Sequence, residues 1–298
     1  MKIVFMGTPE FALSALEKLY EKHEIVCVYT RAPKEAGRGQ KVVKSPVHMF
    51  AEEHNIPVRT PKTLRNDEEI KKFIELNADI TIVAAYGLIL PKQVIDAFAY
   101  KCVNIHASLL PRWRGAAPIQ RCIEAGDTKS GITIMQVAEG LDAGDIYLQE
   151  ETSITDRTTG GILHDKLASI GSELIIKYLA NIENIVPIKQ DESLVCYAKK
   201  LEKEESLLDF SKPAEILERK IRAFNPFPAT YFQHNGERFK VLEAKISDLS
   251  GRCGDIIQAK DKLFIVCDKQ SLEVTKIQRQ GKKAMTTAEL LRGYSFIS

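Results

Sequence analysis

The chain opens Met1-Lys2-Ile3-Val4-Phe5-Met6-Gly7-Thr8-Pro9-Glu10-Phe11-Ala12-Leu13-Ser14-Ala15-Leu16-Glu17-Lys18-Leu19-Tyr20. Residues 2–6 form a short apolar run of strand character, and Gly7 can make the turn that ends it. Thr8 stands where a hydroxyl caps a helix, and Pro9 where proline starts one. Phe11, Leu13, Leu16 and Leu19 then line one side of a helix over 9–20. This alternation of strand, turn and amphipathic helix recurs along the first part of the chain. Further strands are expected at 24–30, 80–85, 102–105, 132–137 and 146–148, with helices at 45–54, 67–76 and 163–179. Such alternation predicts an α/β fold with a Rossmann-like parallel sheet over residues 1–184.

The pattern breaks after Asn184. A charged stretch over 185–206 reads as a linker, and a helix over 213–223 leads into Asn225-Pro226-Phe227-Pro228. Five short runs come next, at 230–233, 239–246, 254–259, 262–267 and 272–278, parted by Asn235-Gly236, Ser250-Gly251 and Asp261. They predict a second domain over 207–298, a small β-barrel of the oligonucleotide-binding type. Charge divides at the same place. The 298 residues carry a net +2, yet 207–298 holds 16 Lys and Arg against 11 Asp and Glu, which leaves the first 206 residues at −3. A basic C-terminal domain suits a polyanionic partner, because lysine and arginine release counterions when they meet phosphates. A plain solvated surface would show the same bias.

Other classes are excluded by composition. With 44% apolar and 28% charged residues, no run approaches the roughly 18 to 20 apolar residues of a membrane span. The first ten residues lack the apolar stretch of a signal peptide and already include Glu10, so a cytoplasmic protein is expected. The six cysteines, Cys27, Cys102, Cys122, Cys196, Cys253 and Cys267, have no C-x-x-C spacing. They are expected to be small buried apolar residues, with neither disulfides nor zinc.

Two familiar chemistries fail on motif. Gly7-Thr8-Pro9-Glu10 lacks the later glycines with which a dinucleotide site approaches a pyrophosphate, and no phosphate loop or G-x-S-x-G nucleophile elbow occurs. The informative run is Asn104-Ile105-His106 at a strand end. Residues i and i+2 of a strand share a face, so Asn104 and His106 point the same way. Asp142, in Gly140-Leu141-Asp142-Ala143-Gly144-Asp145, comes after the next strand and can return to the same edge. An amide donor for a growing oxyanion, an imidazole that shares charge or moves a proton, and a carboxylate that orients the imidazole together suit acyl transfer without a covalent enzyme intermediate. A histidine buried for packing and an aspartate serving its turn remain open on these residues alone.

Asn104-Ile105-His106-Ala107-Ser108-Leu109-Leu110-Pro111-Arg112-Trp113-Arg114-Gly115-Ala116-Ala117-Pro118-Ile119, with Gly131-Ile132-Thr133-Ile134-Met135 and Gly140–Asp145, resembles the 10-formyltetrahydrofolate-dependent formyltransferases. The resemblance runs from Phe5-Met6-Gly7-Thr8-Pro9 through Ala84-Ala85-Tyr86-Gly87 to the C-terminal barrel. The Pro111–Pro118 stretch and the barrel are similar to the branch that acts on methionyl-tRNA. The resemblance implies transfer of the formyl group of 10-formyltetrahydrofolate to the amino group of initiator methionyl-tRNA, for translation initiation, without a metal. It implies catalytic roles for Asn104, His106 and Asp142. It implies a folate site at Ser108, Leu109, Leu110 and Pro111 and at Ala85, Tyr86, Gly87 and Leu88. On the tRNA side it points to Arg38, Lys41 and Lys44 in a basic loop, and the charge of the barrel adds Lys282 and Lys283. Arg31-Ala32-Pro33-Lys34-Glu35 departs from the Gln-Pro-Asp-Arg-Pro run common in the family. A sugar-nucleotide N-formyltransferase, the alternative reading, would share Asn104, His106 and Asp142 and differ only on the acceptor side. No obligate protein partner and no membrane are expected.

Overall fold

A computed structural model describes residues 1–36 and 41–297. In chain order the elements are β1 (Lys2–Gly7), α1 (Glu10–Lys22), β2 (Glu24–Tyr29), β3 (Lys34–Ala36), β4 (Lys41–Val43), α2 (Pro46–Glu53), β5 (Val58–Arg59), α3 (Asp67–Ile74), β6 (Ile80–Ala84), α4 (Lys92–Ile95), β7 (Cys102–His106), β8 (Arg114–Gly115), α5 (Pro118–Ala125), β9 (Lys129–Gln136), β10 (Ile146–Ser153) and α6 (Gly160–Ala180). After them come β11 (Tyr197–Ala198), α7 (Ala214–Phe224), β12 (Thr230–His234), β13 (Glu237–Ser247), β14 (Ile256–Ala259), β15 (Lys262–Val266), β16 (Ser271–Arg279), β17 (Met285–Thr286) and α8 (Thr287–Leu291). Two compact units interleave along the chain. The first is Met1–Gly115, Ser130–Thr152 and His164–Ala198; the second is Ala116–Lys129, Ser153–Leu163 and the chain from Lys199 onward.

The first unit is built on a seven-stranded sheet of order β10-β9-β7-β6-β1-β2-β5. From β5 to β7 the neighbours are parallel, whereas β9 runs antiparallel to β7. The expected parallel sheet is thus a mixed one. Only nine residues, 137–145, separate the neighbours β9 and β10, too few for the dozen or more that a parallel crossover requires. One face carries Val4, Met6, Cys27, Tyr29, Val83 and Cys102 in a core shared with Phe73 of α3 and Val94 and Ile95 of α4. On α1, Phe11, Ala12, Ala15, Leu16 and Leu19 are buried, and Gly171 of α6 lies against Ile105 and Ile132 of the sheet. Burying each large apolar side chain contributes roughly 1.5–3 kcal/mol, and the alternation of the strands supplies them to both faces.

Local signals explain most element ends. Ser45 caps α2 by accepting from the His48 N–H at 3.1 Å, with Pro46 in the first turn. Asn66 does the same for α3. Thr8 does not cap α1, because Pro9 occupies that position. The Thr8 hydroxyl instead accepts from the Arg31 N–H at 3.4 Å and donates to the Tyr86 carbonyl at 3.4 Å, joining the segments after β1, β2 and β6. The stretch expected as a linker also divides. Ile188 and Ile146 exchange two backbone hydrogen bonds of 2.8 Å, and β11 pairs with β8, so 185–198 is built into the first unit. Arg121 of the second unit takes hold of the rest, donating to the Lys199 and Lys200 carbonyls and to Glu205. Charge and hydropathy could not reveal this, because most of the partners are backbone groups.

The second unit holds an antiparallel sheet of order β12-β13-β16-β15-β14, with β17 added on β16, so six strands stand where five were expected. Asn235 and Gly236, at φ 49° and 76°, form the left-handed pair of a two-residue hairpin between β12 and β13. Phe232, Phe239, Val241, Leu263, Ile265 and Ile277 pack with Leu217 and Ile221 of α7 and Leu290 of α8. Cys27, Cys102, Cys122 and Cys267 are buried as expected, whereas Cys196 is half-buried and Cys253 exposed. Among the described residues no helix is long and apolar enough to cross a membrane, and no group of three His, Cys, Asp or Glu side chains is placed to hold a metal.

Candidate functional site

Because β1, β6 and β7 are parallel and adjacent, their carboxyl ends share one edge of the sheet. Ligands of open α/β sheets bind at such an edge. β7 ends there in Asn104-Ile105-His106. Ile105 turns toward α6, and Asn104 and His106 occupy the opposite face, as alternation requires. His106 is 5% exposed. Its Nε2 donates to the Trp113 carbonyl at 2.9 Å, and its Nδ1 lies 3.7 Å from Oδ2 of Asp142. Both ring nitrogens thus face oxygen atoms of the protein. Asn104 is half-buried, and its side-chain amide has no hydrogen-bond partner among the described residues.

Asp142 reaches this position from the loop between β9 and β10, with a left-handed φ of 47°. The same Oδ2 accepts from the Gly115 N–H at 2.8 Å. Gly115 is irreplaceable on two counts: its φ is 120°, and a Cβ there would sit 2.8 Å from the Ala198 carbonyl oxygen. The carboxylate thus takes a backbone N–H and faces the imidazole with one oxygen, which fixes its orientation. The three expected catalytic residues are brought to one edge.

The segment after β7 is held from beneath. The Ser108 hydroxyl donates to the Arg112 carbonyl at 2.7 Å, so it is engaged within the loop. Thr133 donates to the Ser108 carbonyl at 2.6 Å and accepts from the Leu110 N–H at 3.1 Å. Gln149 donates to the Leu110 carbonyl at 2.9 Å. Leu110 is buried with Met135 and Ile146, while Leu109 and Pro111 are half-buried. After β6, Ala85 at φ 46° and Gly87 at φ 79° are exposed on either side of buried Tyr86, and Leu88 packs against the apolar cluster below. The Tyr86 hydroxyl is buried without a partner among the described residues, and burial drives its pKa up.

The expected acceptor-side residues fare differently. Arg38 lies outside the described residues, as does the side chain of Lys41. Lys44 grips both carboxylate oxygens of Glu52, at 2.8 and 2.6 Å. Lys282 and Lys283, in the second unit, are exposed. Sequence reasoning missed Trp113, Thr133 and Gln149, which act through main-chain groups or support them. It also missed Arg114, which is 3% exposed and paired with Glu192 at 2.7 Å. A buried arginine needs an acid, but nothing in the spacing indicates which one.

Comparison with known proteins shows the family. Residues 1–179 match the model of the formyl transferase family, and residues 200–295 match that of the formyl transferase C-terminal domain. A methionyl-tRNA formyltransferase of Paramagnetospirillum magneticum is 50% identical, over 99% of this chain and 97% of its own. One from Rickettsia felis is 48% identical, over 100% and 98%. Among solved structures, an N-formyltransferase from Helicobacter canadensis in complex with folinic acid and dTDP-3-aminofucose has a TM-score of 0.71 at 20% identity, covering 94% of this chain and 99% of that one. HypX from Aquifex aeolicus has a TM-score of 0.67 at 18% identity, covering 99% of this chain and 48% of its own. Identities this low speak for the fold alone. Two family regions matched in order, and half of all residues shared with methionyl-tRNA formyltransferases from end to end, make this chain a member of the formyl transferase family, in its methionyl-tRNA formyltransferase branch.

Proposed function

We propose that the protein transfers a formyl group from 10-formyltetrahydrofolate to the amino group of initiator methionyl-tRNA. The observation that carries the reading is the half-buried side chain of Asn104, which has no hydrogen-bond partner among the described residues, on the same strand face as His106, whose ring is held between the Trp113 carbonyl and Asp142. The folate co-substrate supplies an activated formyl carbon. The exposed backbone of Ala85 and Gly87 offers hydrogen-bonding groups beside the apolar Leu88 and Leu109, which fits a flat heterocycle with polar edges. Tyr86, Ser108, Leu110 and Pro111 shape this site from behind, since the Tyr86 ring and the Ser108 hydroxyl are buried.

Asn104 donates to the formyl oxygen as negative charge grows there, a fixed donor that needs no reorganisation. His106 opposes the same charge and passes a proton between the incoming amine and the departing folate nitrogen. Asp142 keeps the imidazole oriented and compensates positive charge that develops on it as the proton passes. On the acceptor side, Arg38, Lys41 and Lys44 steer the aminoacyl end, and exposed Lys282 and Lys283 hold phosphates elsewhere on the tRNA. Formyl transfer to methionyl-tRNA and to an amino-sugar nucleotide, measured side by side with the same donor, tests this. Turnover of the tRNA and none of the sugar is expected; the reverse would overturn the assignment.

A further inference from the structure

Gln190 lies in the segment that sequence composition marks as a linker, yet both donors and the acceptor oxygen of its side-chain amide are bonded to groups beside the site. Its Nε2 donates one hydrogen to the Asp142 carbonyl at 2.8 Å and the other to the Gly144 carbonyl at 2.7 Å. Its Oε1 accepts from Nε of Arg114 at 3.0 Å. The three partners belong to the two loops that hold His106 and its carboxylate. Arg114 stands between Trp113, whose carbonyl takes the His106 Nε2 proton, and Gly115, whose N–H fixes Asp142. One amide therefore ties the loop that carries Asp142 to the loop that receives His106.

The amide is itself held in place. Two residues before it, Ile188 exchanges two backbone hydrogen bonds with Ile146 at the start of β10. Two residues after it, Glu192 grips Arg114 with both oxygens, at 2.7 and 3.3 Å. Glu192 is 72% exposed, so it sits over the buried guanidinium like a lid and leaves Nε free to meet Gln190. Further on, the Cys196 carbonyl accepts from the Arg114 N–H at 3.0 Å, and β11 pairs with β8. Gly144 completes the clamp from below, because a Cβ there would fall 1.8 Å from the Gln136 carbonyl oxygen, so the loop lies directly on β9. The loop could otherwise pivot: Asp142 has a left-handed backbone, and its carboxylate meets His106 at 3.7 Å, a separation that small movements change in relative terms.

We propose that Gln190 is a positioning residue for formyl transfer, holding Asp142 against His106 through the Asp142 and Gly144 carbonyls and Arg114. The inference rests on the catalytic reading of His106 and Asp142. Only a side chain with two donors and an acceptor in one plane can make all three bonds. Methionine has the length without the hydrogen bonds, and glutamate keeps an acceptor for Arg114 while turning an oxygen on two carbonyl oxygens.

The test is a kinetic cycle with Gln190→Met, Gln190→Ala and Asp142→Ala, each alone, and Gln190→Met with Asp142→Ala, with thermal midpoints recorded throughout. Misplacing a catalytic group by a fraction of an ångström to an ångström costs rate steeply, so a fall in kcat of about tenfold to a hundredfold is expected for Gln190→Met. KM for both substrates should stay within about twofold, as the Gln190 amide is taken up by Asp142, Gly144 and Arg114. In the Asp142→Ala background the same substitution should change kcat by less than about twofold, since the residue acts through Asp142. Equal losses in the two backgrounds would overturn the inference, as would an unchanged kcat in both single Gln190 variants. If both lost the fold, Gln190 would be a stability residue and the inference would fall. Should Asp142→Ala alone keep full turnover, the failure would instead lie with the catalytic reading itself.

Discussion

In the mechanism we propose, Asn104 and His106 act on one oxygen, Asn104 as a fixed donor and His106 as a carrier of charge and proton, and substitution at each tests its share. Removing one fixed oxyanion donor typically costs on the order of 2.7–4 kcal/mol, so Asn104→Ala should lower kcat by roughly a hundredfold to a thousandfold with little change in folate affinity. Steady-state kinetics with folate titration checks this, and near-normal turnover would remove Asn104 from the mechanism. His106→Ala should fall comparably. Gly115→Ala forces a side chain into a φ of 120° and against the Ala198 carbonyl, so a loss of about 1–3 kcal/mol in unfolding free energy is expected together with lost activity. A stable, active variant would show that the β8 and β11 contact is pliable. At this scale the sequence is informative where chemistry is local. Strand alternation alone places Asn104 and His106 on one face, and the glycine-flanked turn singles out Asp142. Trp113, Gly115 and Gln190 are illegible because they act through main-chain groups or on them, and such groups leave no mark in residue type.

Elements show the same limit in another form. Strands and helices of the sheet are legible from periodicity and caps, as with Ser45 and Pro46, but the direction of β9 is not, because the alternation of a strand is the same read either way. The two-residue β17 is too short to carry any period. Thr8 has the chemistry of a cap but the neighbour of a capping proline, and its hydroxyl bonds to two other loops instead. An ion pair offers a test at this level. Arg121 of α5 holds Glu205 through two contacts of 2.7 and 2.9 Å, and the guanidinium pulls that carboxyl from its usual 4.5 down to about 2. A depressed carboxylate pKa stabilises the folded state above the unfolded value, near pH 4.5, and the contribution disappears as pH falls toward 2. The pair is partly open to solvent, which screens it, so about 1–2 kcal/mol is expected at pH 7. Denaturant unfolding of Glu205→Gln should show that deficit at pH 7 and a shrinking one below about pH 4.5. A deficit that stayed constant with pH would mean that packing, and not charge, holds α5 to this segment.

At the scale of the whole molecule the basic character of the second unit has a measurable signature. Phosphate contacts release counterions, so replacing Lys282 and Lys283 together by alanine should raise KM for tRNA and flatten its dependence on salt, with kcat at saturation nearly unchanged. Arg38→Ala should lower kcat/KM instead, through placement of the acceptor end, with the salt slope close to that of the parent. An unchanged KM and slope in the lysine variant would make that face a solvated surface. Chain order adds a consequence of the Gln190 tie. Gln190 comes 48 positions after Asp142 and 76 after Arg114. During translation the side chains proposed to react therefore leave the ribosome well before the residue proposed to brace them. A growing chain that stops short of residue 190 carries Asn104, His106 and Asp142 with the 137–145 loop lacking its tie to Gln190. Stalled nascent chains should accordingly be cut by protease within 137–145 until 188–198 has emerged, and resist cleavage there afterwards. Maturation of the site is then an event in time, set by how far synthesis has run.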